Sequence, residues 1–216
     1  YITVKMFFAK NTKYDDFNKR ISELVENYSK VLDVGCATGK LVEYLKKNKQ
    51  CQIFGVEVSP DMALEARKKS GGITCIDIES CESLPFEKAS FDIIIFADVL
   101  EHLKRPDIVL RKIIPYLKGN GYFLFSIPNI AFLTVRFNLL FGKFRYTEYG
   151  VLDKTHLRFF TLKTARKLIE ECGLKITRIE GYNQVRARFF ILRPIGRIFK
   201  TLFATDFVIK AVINHG

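Results

Sequence analysis

The sequence predicts an α/β fold, a mostly parallel sheet of seven strands flanked by helices. Three observations predict it. Short apolar, β-branched runs alternate with stretches whose apolar residues recur every three or four positions, the rhythm of strand–helix–strand units. The run Phe91–Ala97 is apolar almost throughout, as a parallel strand buried on both faces must be. The first strand leads into a helix through a glycine-bearing turn, Gly35 to Gly39. Crossovers between such parallel strands are right-handed.

The elements follow in order. Phe17, Ile21, Leu24, Val25 and Tyr28 recur at helical spacing ahead of Ser29. Val31–Val34 is the first strand, 40–48 a helix, and Cys51–Val58 the second strand. Ser59-Pro60 then opens a helix, with Ser59 as N-cap and Pro60 at the first helical position. Ile73–Ile78 and Phe91–Ala97 are the third and fourth strands. A helix over 108–117 and a turn at Lys118-Gly119-Asn120-Gly121 lead to a fifth strand, Tyr122–Ile127. After Pro128 the rhythm breaks into an apolar and basic insertion, 129–160, read as a lid over the strand ends. Thr161 caps the next helix and Gly173 ends it. Leu174–Ile179 is the sixth strand, Pro194 starts a basic helical segment, and Phe207–Ile213 is the seventh. The whole of 1–216 is expected to be a single domain, with 129–160 as an insertion within it.

Composition narrows the function classes. Apolar residues make up 48% and charged residues 27%, ordinary for a globular protein. No run of eighteen apolar residues predicts a transmembrane helix, and the N-terminus carries no secretory pattern. Five cysteines without framework spacing argue against a disulfide scaffold and for a cytoplasmic compartment. His102, His156 and His215 stand far apart in sequence and no CxxC occurs, so no metal site is expected. Residues 1–100 hold 14 Lys+Arg against 15 Asp+Glu, whereas 101–216 hold 21 against 8. A balanced half followed by a strongly basic one suggests an anionic partner for the second, or simply a solvated charged surface.

The chemistry-bearing residues sit at strand ends. In VLDVGCATG, Val31 to Gly39, Gly35 allows a tight turn and small residues let a ligand lie against the backbone, with helix N–H groups behind it. Ala37 and Lys40 occupy two positions where a dinucleotide site requires glycine, which disfavours NAD. Glu57, about 20 residues past the loop, stands where a carboxylate grips a ribose diol. Asp77 at the third strand's end suits an amino-group acceptor, with Ile78 over a ring face.

The ordered set VLDVGCATG, GVEVSPDMALEAR, CIDIES, LPFEKASFDIIIFADVLEHL and LKGNGYFLFSIPN resembles the class I S-adenosylmethionine-dependent methyltransferases from about Val31 to Asn129. That resemblance implies a Rossmann-like sheet of order 3-2-1-4-5-7-6 with S-adenosylmethionine as cofactor and S-adenosylhomocysteine as product. It implies Gly35, Ala37 and Gly39 near the methionine and ribose, Glu57 on the ribose, Asp77 and Ile78 at the adenine, and Phe96 and Ala97 toward the methionine end. The family's usual central glycine is Ala37 here, and the stretch between Asp77 and Leu84 is a few residues longer. GVLDKTHLRFFTLKTARKLIEECGL, Gly150 to Leu174, is similar to a small-molecule branch related to ubiquinone-biosynthesis O-methyltransferases.

The reading is therefore methyl transfer to a small-molecule or lipid- or glycan-linked acceptor, at oxygen. The alternatives are an RNA methyltransferase and a non-catalytic nucleoside-binding interaction protein. An oxygen acceptor must lose a proton, and His156 is the candidate base, with Asp153 to orient it and Arg158 to hold an anionic acceptor. His156 and Arg158 equally suit a structural clamp of lid to sheet. His102 reads as a packing or lid contact. The basic amphipathic stretches 130–145 and 189–203 serve either as an acceptor lid or as a peripheral membrane contact. The Asn/Asp-Pro-Pro-aromatic signature of amino-directed nucleic-acid methyltransferases is absent, so nucleic acid is not the expected partner.

Overall fold

The computed structural model describes residues 19–182 and 200–214. The readings at Phe17, Pro194 and His215, and residues 189–199 of the second basic stretch, lie outside them. Residues 19–23 are helical. The strands are β1 (Lys30–Val34), β2 (Gln52–Glu57), β3 (Gly72–Cys75), β4 (Phe91–Ala97), β5 (Leu117–Pro128), β6 (Leu174–Tyr182) and β7 (Asp206–Ile213). The helices are α1 (Lys40–Lys49), α2 (Pro60–Arg67), α3 (Pro106–Ile113), α4 (Leu133–Leu140), α5 (Leu162–Glu171) and α6 (Lys200–Phe203).

The seven strands form one sheet in the order β3-β2-β1-β4-β5-β7-β6. The first five run parallel, and β7 lies antiparallel to both β5 and β6. This is the Rossmann-like order of the resemblance.

Period-two alternation splits the core between the two faces. Leu32, Val34, Ile94, Phe96, Phe123 and Phe125 point one way and pack with Val109, Leu110 and Ile113 of α3 and with Ala165 and Ile169 of α5. Val31, Ile93, Ile95, Leu124 and Val208 point the other way, onto Leu41, Val42 and Leu45 of α1 and Ala63 and Ala66 of α2. Burial of these side chains is the main force holding the sheet, at about 1.5–3 kcal/mol for each large apolar group.

Local signals set the helix ends. The Ser59 hydroxyl accepts from the Met62 N–H with Pro60 at the first position of α2. Thr161 accepts from the Thr164 N–H while the Thr164 hydroxyl returns to the Thr161 N–H, a reciprocal cap on α5. Three boundaries differ from expectation. Pro115 forbids continuation of α3, which ends at Ile113 and tightens into a 3-10 turn at Ile114–Tyr116. The Lys118–Gly121 segment is no separate turn but lies inside β5, where the pairing with β4 slips between Phe91 and Ile93 and accommodates it as a bulge. β3 stops at Cys75, so Asp77 sits past the strand in a turn.

The insertion begins and ends together. Asn129 and Phe160 form a β-bridge, and the Ile130 N–H donates to the Phe160 carbonyl. Fully buried Asn129 donates from its amide to the carbonyls of Thr201 and Ala204 and accepts from the Ala131 N–H. Among the described residues, no helix is long and apolar enough to cross a membrane.

Candidate active site

The carboxyl ends of β1, β2, β4 and β5 meet at one edge of the sheet, where ligands of open parallel sheets bind. After β1 the backbone takes left-handed conformations at Gly35 (φ 72°), Ala37 (φ 47°) and Gly39 (φ 74°). A Cβ built on Gly35 would lie 2.7 Å from Val99 Cγ2, so only glycine allows both the turn and that approach. Gly39 caps α1 without any side-chain cap, which leaves the helix N-terminus as a dipole end suited to an anion.

Glu57 ends β2 and is 7% exposed. Its Oε2 accepts from the Ala37 N–H and its Oε1 from the Ser59 N–H, both at 2.9 Å. An ionised carboxylate has about four acceptor sites. Two backbone donors therefore fix its plane and occupy about half of those sites. The N–H groups of Gly35 and Cys36 donate to the Val56 carbonyl, and that of Gly39 to the Cys36 carbonyl. The loop is thus held by its own backbone and by Glu57.

The other expected contacts vary in placement. Asp77 is exposed and its Oδ1 accepts from the Glu79 N–H, closing an Asx-type turn. Ile78 is buried in the core beside it. Phe96 is fully buried and stacks on Phe125, so its side chain faces the core and only its backbone reaches the edge. Ala97 is partly buried at the strand's end.

A second group lies beyond β4, unforeseen as a cluster. Asp98 holds a left-handed backbone (φ 53°), a strain that structures keep at functional sites. Its Oδ1 accepts from the Ser126 hydroxyl. Burial and the neighbouring Asp206 raise its carboxyl to about 8. Val99, against Gly35, leads into a 3-10 turn, Leu100–His102. Glu101 in that turn is 1% exposed, and neither carboxylate oxygen has a hydrogen-bond partner. Burial first, and the charge of Asp98 next, push its carboxyl well above the usual range.

The loop after α4 docks on this turn. The N–H groups of Leu157 and Arg158 both donate to the Glu101 carbonyl. That docking sets His156 Nε2 4.0 Å from Glu101 Oε1 and stacks the His156 and His102 rings edge-on at 4.9 Å. The expectation that distance in sequence precludes a ligand cluster is overturned here: Glu101, His102 and His156 each present a ligand atom within 4.8 Å of the others. Each imidazole hydrogen-bonds a carbonyl through Nδ1, His156 to Val151 and His102 to Thr155. A carbonyl only accepts, so Nδ1 bears the proton and Nε2 the lone pair. Val151, rather than the Asp153 carboxylate, orients His156, because Asp153 Oδ1 is engaged by the N–H and hydroxyl of Thr155. Burial lowers both histidines below their ordinary range, so both are neutral at pH 7. Arg158 is exposed and donates to the Lys104 carbonyl.

Asp33, 2% exposed at the end of β1, gives a direct electrostatic test. Burial, then the charge of Glu57, raise its carboxyl from 3.8 to about 8. The folded state thus binds a proton that the unfolded chain releases near pH 4. This stabilisation is complete below that pH and is lost as pH rises through about 8. Urea midpoints should therefore fall between pH 7 and 8.5, with a slope of up to about 1.4 kcal/mol per pH unit from this group. Asp33→Asn should flatten the slope; a wild type that gains stability over this interval contradicts the assignment.

A Rossmann-like sheet of order 3-2-1-4-5-7-6, with a glycine-turned loop after its first strand and a buried carboxylate one strand over, defines the class of fold. The family profile described as a methyltransferase domain matches residues 8–179. The chain belongs to this family and is a class I S-adenosylmethionine-dependent methyltransferase. It is 28% identical over 205 residues to an uncharacterised protein of Methanocaldococcus jannaschii, covering 86% of this chain and 77% of that one. It is 25% identical over 184 residues to a ubiquinone biosynthesis O-methyltransferase of Coxiella burnetii, covering 82% and 77%. In fold it is similar to a SAM-dependent methyltransferase from Archaeoglobus fulgidus, with a TM-score of 0.64, 22% identity, and 91% and 93% of the chains covered.

Proposed function

We propose that the chain transfers a methyl group from S-adenosylmethionine to an oxygen of a small-molecule or lipid- or glycan-linked acceptor. The observation that carries this reading is that Val99 abuts Gly35 of the loop and leads at once into the turn whose Glu101 lies 4.0 Å from His156.

The loop residues present fit the cofactor. Gly35, Ala37 and Gly39 offer backbone without bulk, Glu57 offers hydroxyl acceptors, and Asp77 and Ile78 follow β3 in a turn, on hand for the adenine. The backbone at Phe96 and Ala97 borders the methionine end. When bound, the sulfonium supplies a methyl group that is already electrophilic. The protein's own task is then to hold the acceptor in line and exclude water, a positioning effect of roughly 7–11 kcal/mol.

His156 accepts the acceptor's proton at Nε2, the atom its Val151 hydrogen bond leaves bare. Glu101 Oε1 lies 4.0 Å from that atom, the nearest carboxyl to it in the turn after β4. The oxygen-directed reading draws support from the C. burnetii relative, whose name describes an O-methyltransferase. A lipid-linked acceptor draws support from the insertion, where Phe137, Leu140, Phe141 and Tyr146 are each at least 59% exposed amid Arg136, Lys143 and Arg145. Such an apolar and basic face suits peripheral contact with an anionic membrane.

The test is methyl transfer from labelled S-adenosylmethionine to catechols and to extracted lipid-linked glycans, with products identified by mass. His156→Ala should leave S-adenosylhomocysteine affinity unchanged and slow turnover by about 10²–10⁴-fold, the range for a general base. An unaltered rate removes His156 from catalysis. Methylation of RNA alone would overturn the acceptor class.

A further inference from the structure

We propose that Glu101, His102 and His156 form a binding site for a first-row divalent metal ion, of the zinc or ferrous class, beside the methyl-transfer centre. The proposal rests on the methyltransferase reading for its role, but the site itself stands on the residues.

Glu101, His102 and His156 converge, and among the described residues no donor reaches the Glu101 oxygens. Both imidazoles spend their Nδ1–H groups on backbone carbonyls and retain Nε2 lone pairs. Glu101 is 1% exposed with both oxygens unpartnered, and no Lys or Arg pairs with it among the described residues. Leaving a buried carboxylate unpaired costs several kcal/mol, so such a group is normally neutralised or bound to a metal.

The donor chemistry selects the ion. Two imidazoles and one carboxylate are the ligand set of catalytic zinc sites and non-haem iron sites, whereas magnesium and calcium prefer all-oxygen cages. Histidines that ligate metals almost always donate their second ring N–H to a carbonyl or carboxylate, and both do so here. Ligand atoms within 4.8 Å of one another need to draw in to about 3.4 Å, the spacing set by bonds of about 2.1 Å in a tetrahedron. Three protein ligands leave at least one open position, where an acceptor oxygen can bind and lose its proton more readily. In the loaded site His156 is a ligand, and the cation takes over the acidifying role that His156 plays without it. The methyl–sulfur bond then breaks as the methyl–oxygen bond forms, and the hydroxyl proton goes to solvent.

The experiment uses the purified chain stripped with chelator and titrated with Co²⁺ alone, followed by visible absorption. One equivalent should bind, giving ligand-field bands without the near-ultraviolet thiolate band that the five cysteines would produce. Losing an outer-shell partner of a metal site costs about 10–100-fold in affinity, so losing a ligand should cost at least about 100-fold. Glu101→Gln, which keeps the shape, and His156→Ala should each show that loss. Titration with S-adenosylhomocysteine should be unchanged in both variants. Absence of Co²⁺ binding below millimolar, a thiolate band, or equal binding by the variants overturns the site. Failure of the wild type to bind S-adenosylhomocysteine would instead defeat the methyltransferase reading, and the Co²⁺ result would still judge the site.

Discussion

Replacing Glu57 by alanine is expected to weaken S-adenosylhomocysteine binding by about 10- to 150-fold, read by calorimetry. The range converts the roughly 1.5–3 kcal/mol carried by hydrogen bonds to a charged group. Two effects add in the same direction. The ribose hydroxyls lose their acceptor, and the N–H groups of Ala37 and Ser59 lose theirs, which frees the loop and the start of α2. Glu57→Gln separates the two. The amide oxygen can hold one N–H, but the amide nitrogen cannot accept the other, so affinity should fall between wild type and alanine. Unchanged affinity in both variants would remove Glu57 from the site.

The fold was legible because its signals are local. Apolar runs mark the buried strands, and Ser59-Pro60 and Thr161 with Gly173 mark helix ends by hydrogen bonds made within a few residues. The glycine turn after β1 was legible for the same reason, since a tight turn and a strand-end acid are written in short spans. What escaped depends on distant packing. The Lys118–Gly121 segment has turn composition, yet pairing with β4 carries the strand through it. A Glu-His pair after a strand reads as a solvated turn. Only the docking of Leu157 and Arg158 on the Glu101 carbonyl buries Glu101 and brings His156 to it. The resemblance implied Phe96 toward the methionine end, and alternation sends its side chain into the core with Ile94. Ala37, standing where the family has glycine, keeps the left-handed backbone at φ 47° and so bears a cost of about 1–2 kcal/mol.

Gly35→Val is expected to be the most damaging single change at the cofactor loop, abolishing measurable S-adenosylhomocysteine binding and lowering the urea midpoint. Two costs combine. A residue with a side chain at φ 72° costs about 1–2 kcal/mol, more when β-branched. Its Cβ would also meet Val99 Cγ2 at 2.7 Å, and overpacking of this kind adds about 1–3 kcal/mol. Gly35→Ala isolates the causes because it adds only the Cβ. Combined with Val99→Ala, which removes the opposing methyls, it should recover the steric share and keep the backbone share. The cycle should therefore show a favourable coupling of about 1–3 kcal/mol between the two sites. Additive losses would mean that Val99 yields freely and that backbone conformation alone demands glycine. Coupling would establish that the turn carrying Glu101 is braced against the cofactor loop, so that a displacement of one reaches the other directly. That bracing is what a methyltransferase needs if the acceptor's oxygen and the sulfonium are to meet in line, since a misplacement of about 1 Å can cost 10²-fold in rate.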